Sequence, residues 1–171
     1  IVEVNMSEII SPENTELLAY ILGDLQQEPY IEAALGLQEQ LEKGIESGDM
    51  QSAEINVVDY FAPGVYMRQM NAKAGTLMVS KMHRTEHMNI LLTGSLTVAT
   101  ENGIELLTAP LVIKSMPGTK RIGYFHEDSS WITVHPTGET DLELIEQQVI
   151  VPDDEIDQFL ASLPNQCKEI K

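Results

Sequence analysis

The chain has 171 residues, a single cysteine (Cys167) and a net charge of −17, which suits one domain with a real core plus an accessory segment and excludes an internal disulfide framework. No apolar run approaches the ~18 residues that span a bilayer and no signal peptide is read, so the expectation is a cytoplasmic protein without a membrane partner. The acid lies in the flanks: residues 1–58 hold twelve acids and one base, residues 59–138 six and seven, residues 139–171 nine and two, and such flanks exclude a nucleic-acid partner, which needs basic surface to displace counterions.

Residues 1–58 read as an acidic, mostly helical segment. Ser11-Pro12 is an N-cap followed by proline at the first helical position, and Leu17, Leu18, Ile21, Leu22 and Leu25 follow at helical spacing. A second helix starts near Glu28-Pro29. Its apolar stripe is Tyr30, Ala34, Leu37, Leu41 and Ile45, its other face carries Glu32, Glu39, Glu42 and Glu46, and Gly44 and Gly48 mark its end. These helices can pack on the rest of the chain, on a second copy or on another protein.

From about Val57 the period becomes that of strands. Short strands are expected at 76–82, 87–93, 95–100, 104–107, 111–115, 120–125 and 131–135, punctuated by Gly94, Asn102-Gly103, Ala109-Pro110, Pro117-Gly118 and Glu127-Asp128. Asn102-Gly103 is the strongest hairpin signal. Many short strands at this spacing mean an all-β sandwich or barrel over residues 59–138. Residues 139–171 read as a helical tail. Thr140-Asp141-Leu142-Glu143 opens one helix as a capping box, Gln148–Val151 is a last strand, and Pro152-Asp153-Asp154 opens a final helix that Pro164 stops.

The stretch Gly75–Gly94, GTLMVSKMHRTEHMNILLTG, organises the chain. A buried strand breaks off into a polar segment holding His83 and His87, then resumes; that is the pattern of a site at a barrel mouth. All four histidines lie between residues 83 and 135, and histidine is the commonest metal ligand and the near-neutral acid or base. Alternation along Trp131–His135 puts Trp131, Thr133 and His135 on one face. His126 sits in a turn beside Glu127-Asp128.

This pattern resembles the cupin family, small jelly-roll barrels. With Gly94 as the closing glycine of the first cupin motif, His87 stands at its glutamate, His83 at its second histidine and Lys81 at its first. The second motif, Pro-x-Gly-x-x-His, fits Pro117, Gly118 and Arg121, with arginine in the histidine place. The match covers residues 62–136. More narrowly, GTLMVSKMHRTEHMNILLTG, MPGTKRIGYFHEDSSWITVHPT and ETDLELIE resemble small cupin-like proteins of tailed bacteriophages and prophages. The resemblance implies a mainly β, cupin-type double-stranded β-helix, with the N-terminal helical segment and short C-terminal helices outside it. It also implies that the last barrel strand runs beside the first motif, which brings His135 toward His83 as a third ligand.

Three functions follow. In the first, His83, His87 and His135 hold a divalent metal ion (Mn, Fe, Ni or Zn). Glu86, Lys81 and Arg121 are then the candidate catalytic residues, with Glu86 as general base or further ligand. Arg84, Lys120 and Arg121 surround the mouth with positive charge for a small anionic substrate such as a carboxylate or a phosphorylated sugar. In the second, Lys81 and Arg121 replace the metal's charge in a metal-free binding cupin. In the third, the barrel is a structural or interaction protein, such as a phage particle component or host-takeover factor, that uses its N-terminal helices for contact; its place is then the host cytoplasm or the virion. A homodimer is the expected assembly.

Overall fold

A computed structural model describes residues 1–6 and 29–164. The helix read from Ser11-Pro12 to Leu25, and Cys167, lie outside the described residues. No described helix is long and apolar enough to cross a membrane.

The strands form two five-stranded antiparallel sheets. The first has the order β1 (Val2–Asn5), β4 (Thr76–Val79), β10 (Ile122–Phe125), β7 (Ser95–Thr100), β8 (Gly103–Thr108). The second has the order β2 (Asn56–Ala62), β3 (Val65–Ala72), β11 (Ser129–His135), β6 (His87–Thr93), β9 (Leu111–Ser115). From β3 to β11 the chain makes four nested antiparallel pairs: β3 with β11, β4 with β10, β6 with β9, and β7 with β8. A ribbon of nested pairs wound around a barrel is the jelly roll, so the protein is mainly β, with the barrel that the short strands implied and of the cupin type that the resemblance implied. Gly94 turns β6 into β7 at φ +84°, and a Cβ there would lie 2.7 Å from the Asp128 carbonyl oxygen, so only glycine fits.

Helix α1 (Tyr30–Ser47) follows the expected stripe and ends at Gly48 in the left-handed conformation. Ala34 and Leu41 are buried against Val2, Val4, Leu77, Val79 and Ile122, on the outer face of the first sheet. The Tyr30 hydroxyl donates to the Ala99 carbonyl at 2.8 Å. One part of the helical reading of residues 1–58 is corrected: Val2–Asn5 is strand β1, paired antiparallel with β4. Four residues cannot make a stable helix alone, whereas the free edge of β4 offers their backbone groups a full ladder.

After the barrel, α2 (Leu142–Val149) starts at Asp141, whose carboxylate accepts from the N–H groups of Glu143 and Leu144 at 2.9 and 3.2 Å. The cap is therefore one residue later than the capping box placed it, because the carboxylate at 141 reaches the free N–H groups of the first turn. Strand β12 (Ile150–Val151) pairs with β5 (Met82–His83), and helix α3 (Ile156–Ser162) packs Ile156 against Met82 and Val151. The pairing of β12 with β5 draws α2 to the barrel mouth.

Candidate metal and ligand site

The inward face of the second sheet is built in layers. The strand register places Tyr66, His135, His87 and Ser115 side by side at the mouth. One step in lie Arg68, Thr133, Asn89 and Ile113, and a further step in Met70, Trp131, Leu91 and Leu111. Polarity thus falls with depth, from imidazoles through hydrogen-bonding groups to an apolar floor. His83 enters from β5 and joins His87 and His135. Ring centroids are 4.2 Å apart for His83–His87, 4.8 Å for His87–His135 and 5.3 Å for His83–His135.

Three imidazoles bound to one ion at about 2.1 Å and splayed at roughly octahedral to tetrahedral angles would hold their centroids roughly 4.5–5.2 Å apart. Of the observed separations, 4.8 Å falls inside that range, 4.2 Å is shorter and 5.3 Å slightly longer. Among the described residues, no group of three or more His, Cys, Asp or Glu side chains is arranged to hold a metal ion as it stands; the three rings cluster, but their donor atoms do not converge on one point. Two buried ring nitrogens have no hydrogen-bond partner, Nε2 of His87 and Nδ1 of His135. Nδ1 of His87 lies 3.0 Å from the Thr85 carbonyl oxygen, which acts as acceptor, so Nδ1 carries the proton and Nε2 keeps a bare lone pair. An uncompensated buried acceptor costs free energy unless something binds it. The cluster therefore offers two buried ring nitrogens without a partner.

Electrostatics keep the rings in the form that binds metal. Burial, then the neighbouring His87 and His135, pushes His83 well below the ordinary histidine value. Burial lowers His87, and burial with His87 lowers His135 to about 4. All three are neutral at pH 7.

Beside the triad opens a cavity of about 440 Å³. Met70, Met78, Leu96, Val98 and Trp131 form its floor, His83, His135, Arg68 and Arg121 its walls, and Ile145, Glu146 and Val149 of α2 its outer rim. Arg121 is tied in place by donating to Ser115 Oγ at 2.6 Å. Ser115 also accepts from Asn89 Nδ2 at 2.5 Å, and Asn89 Oδ1 accepts from Trp131 Nε1 at 3.1 Å. Tyr66, at the other side, donates to Asp59 at 2.7 Å; burial and that carboxylate raise its proton affinity.

The other residues singled out in the sequence are placed differently. Lys81 lines the rim, its ammonium bound to Glu146. Arg84 turns outward to Glu155 at 2.7 Å and the Ile150 carbonyl at 2.8 Å. Lys120 is fully buried away from the cavity, donating to Gln38 Oε1 at 2.8 Å and to the Ser80 carbonyl at 3.0 Å. Glu86 is exposed and faces Lys114 at 3.3 Å. Arg84, Lys120 and Glu86 thus do not line the cavity, so they are not placed as the substrate-holding and catalytic groups their proximity in sequence suggested. Neighbours along an extended chain point to opposite sides, and that separates Lys120 from Arg121. His126 bonds Thr97 Oγ1 at 2.7 Å, apart from the triad. Sequence reading passed over Arg68, Asn89 and Ser115. The inward phase of Tyr66, Arg68 and Met70 along β3 was the available signal for the first.

No family model matches the chain, and no curated protein sequence matches it. Among solved structures it is similar to an acetylacetone dioxygenase from Acinetobacter johnsonii, with TM-score 0.43 and 16% identity over 65% of this chain and 80% of that one. It is similar to KdgF from Halomonas sp., with TM-score 0.42 and 16% identity over 51% and 81%. It is also similar to a cupin-2 domain containing protein from Shewanella frigidimarina, with TM-score 0.40 and 13% identity over 49% and 80%. Likeness at this level says nothing of activity. The fold rests on the chain's own nested strand pairs, and they make a cupin-type jelly roll.

Proposed function

We propose that the chain binds a divalent metal ion through His83, His87 and His135, and takes a small anionic molecule into the cavity beside it. The observation that carries this reading is the pair of buried ring nitrogens without a hydrogen-bond partner, His87 Nε2 and His135 Nδ1, on rings whose centroids are 4.8 Å apart. Mn, Fe, Ni and Zn all accept imidazole ligands. A bound ion there would supply Lewis acidity toward an oxygen of the ligand. The protein's own part is to orient that ligand: Arg121, held by Ser115, presents a guanidinium to a carboxylate, while the apolar floor takes the remainder and α2 limits water at the rim. Lys81, paired to Glu146, is placed to release its ammonium toward an incoming anion.

The test is elemental analysis of protein purified without added metal or chelator, beside a His83→Ala/His87→Ala double variant. Near-stoichiometric metal in the first and none in the second is expected. No metal in either folded protein would abandon the metal centre and favour the second reading, a metal-free binding cupin. That reading is supported by Lys81 and Arg121 at two positions where the cupin motifs have histidine.

The assembly we propose is a homodimer. The five strands of the second sheet carry one carboxylate, Asp59, and it faces the cavity. Their outer face is free of acid on a chain of net charge −17, so two copies can meet there without bringing acid against acid. A phage origin rests on the three sequence segments alone.

A further inference from the structure

The pairing of the basic residues singles out two of them. Eight lysines and arginines fall among the described residues. Six have a carboxylate within 4.0 Å: Lys43, Lys73, Lys81, Arg84, Lys114 and Lys120. Arg68 and Arg121 have none within 4.0 Å among the described residues, although 21 acids fall among these and Glu3, Asp59 and Glu146 line the same cavity, Asp59 as the cross-strand partner of Arg68. Both are half-buried and both line the cavity. A half-buried guanidinium gains more from a close counter-charge than an exposed ammonium does, so a cavity-lining arginine with no carboxylate in contact is free to take one from a ligand.

Their positions are related through the triad. In the second sheet the strand order is β3, β11, β6, β9. Arg68 stands on β3. His135 and His87 stand on β11 and β6. Arg121, from the turn before β10, is fixed to Ser115 at the end of β9. The two guanidinium groups therefore stand on either side of the histidines. We infer that the cavity is built for a ligand with two separate anionic groups, one for Arg68 and one for Arg121, that straddles the histidine cluster. A small dicarboxylate is the simplest such molecule. The inference rests on the anionic-ligand reading above and sharpens it. It also gives Arg68 a role as a specificity-determining residue.

Binding isotherms on the protein as purified test this, with malonate, succinate and glutarate compared to the monoacids of equal carbon number, and with inorganic phosphate. At least one diacid is expected to bind about tenfold or more tighter than its monoacid, the value of one charge-assisted contact. Arg68→Gln and Arg121→Gln should each remove that difference, and Arg68→Lys should restore part of it. Thermal midpoint and metal content of each variant show that it is folded. Equal binding of diacid and monoacid would overturn the two-point site while leaving a simple anion site standing. Binding of phosphate but of no diacid would also overturn it, since one group would then be shared by both arginines. Binding of no anion by a protein that carries its metal would remove this inference and the anion reading, and leave the metal centre.

Discussion

The two sheets differ in how their outer faces are finished. The first is covered by α1, whose Ala34 and Leu41 are sealed against Leu77, Val79 and Ile122. The second turns outward an apolar surface on which Met88 is 40% and Val112 60% exposed, with no helix over it among the described residues. Its inner face is as unusual, since a strand with one face to water commonly puts apolar residues in and polar ones out. Here β6 points His87 and Asn89 inward and Met88 and Leu92 outward. The inversion teaches that this sheet is not simply a core wall. Inward polar groups such as Asn89 and His135 line the cavity, and its outward apolar groups are the surface on which the proposed dimer would form.

Substitution can break that contrast. The largest effect belongs to the covered face: Leu41→Asp should lose about 4 kcal/mol in urea unfolding, because a carboxylate would be buried without a partner. A loss below about 1 kcal/mol would mean that α1 is not sealed. Next is acid lability of chelator-treated protein. The histidines are lowered in the folded state, so their contribution is intact above the unfolded value near 6.5 and is lost as pH falls. His135 alone, lowered to about 4, can remove up to about 3 kcal/mol across that window. Denaturant midpoints measured from pH 7 to 4 should fall, less steeply in His135→Gln; parallel slopes would refute this.

A smaller effect is expected at Asn89, whose amide joins Ser115 to Trp131. Asn89→Leu should cost about 2 kcal/mol and loosen Arg121, so anion affinity should fall with stability; unchanged affinity would detach Arg121 from the network. The smallest change in stability belongs to the open face. Val112→Asp should stay within about 0.5 kcal/mol yet shift sedimentation from dimer to monomer. A wild-type protein that sediments as monomer would end that proposal.

Local signals carried much of this. The stripe of α1, the turn at Asn102-Gly103 and the alternation from Trp131 to His135 each lie within a few residues, and each is set by periods a short window contains. The meeting of His83 and His135 followed from barrel topology combined with alternation. Other features needed partners far along the chain. Strand β1 exists because β4, more than seventy positions later, leaves an edge for it. Whether a cation faces the cavity was not readable from its place beside a motif: Lys120 reaches Gln38 of α1, and Arg84 reaches Glu155 near the other end of the chain. Arg68 was passed over because no motif surrounds it, and it stands out only once the pairing of the other bases is known, with no described carboxylate within 4.0 Å of it.

The pairing of β12 with β5 has a consequence for the order in which the protein is completed during synthesis. Met82 and His83 are made early, but Ile150 and Val151, which hold them from the side, come about seventy residues later. The ribbon from β3 to β11 can pair before that, while the rim supplied by Ile145, Glu146 and Val149 cannot. A nascent chain can thus wind its barrel while the mouth is still unwalled, and the rim can form only after Val149 has been made.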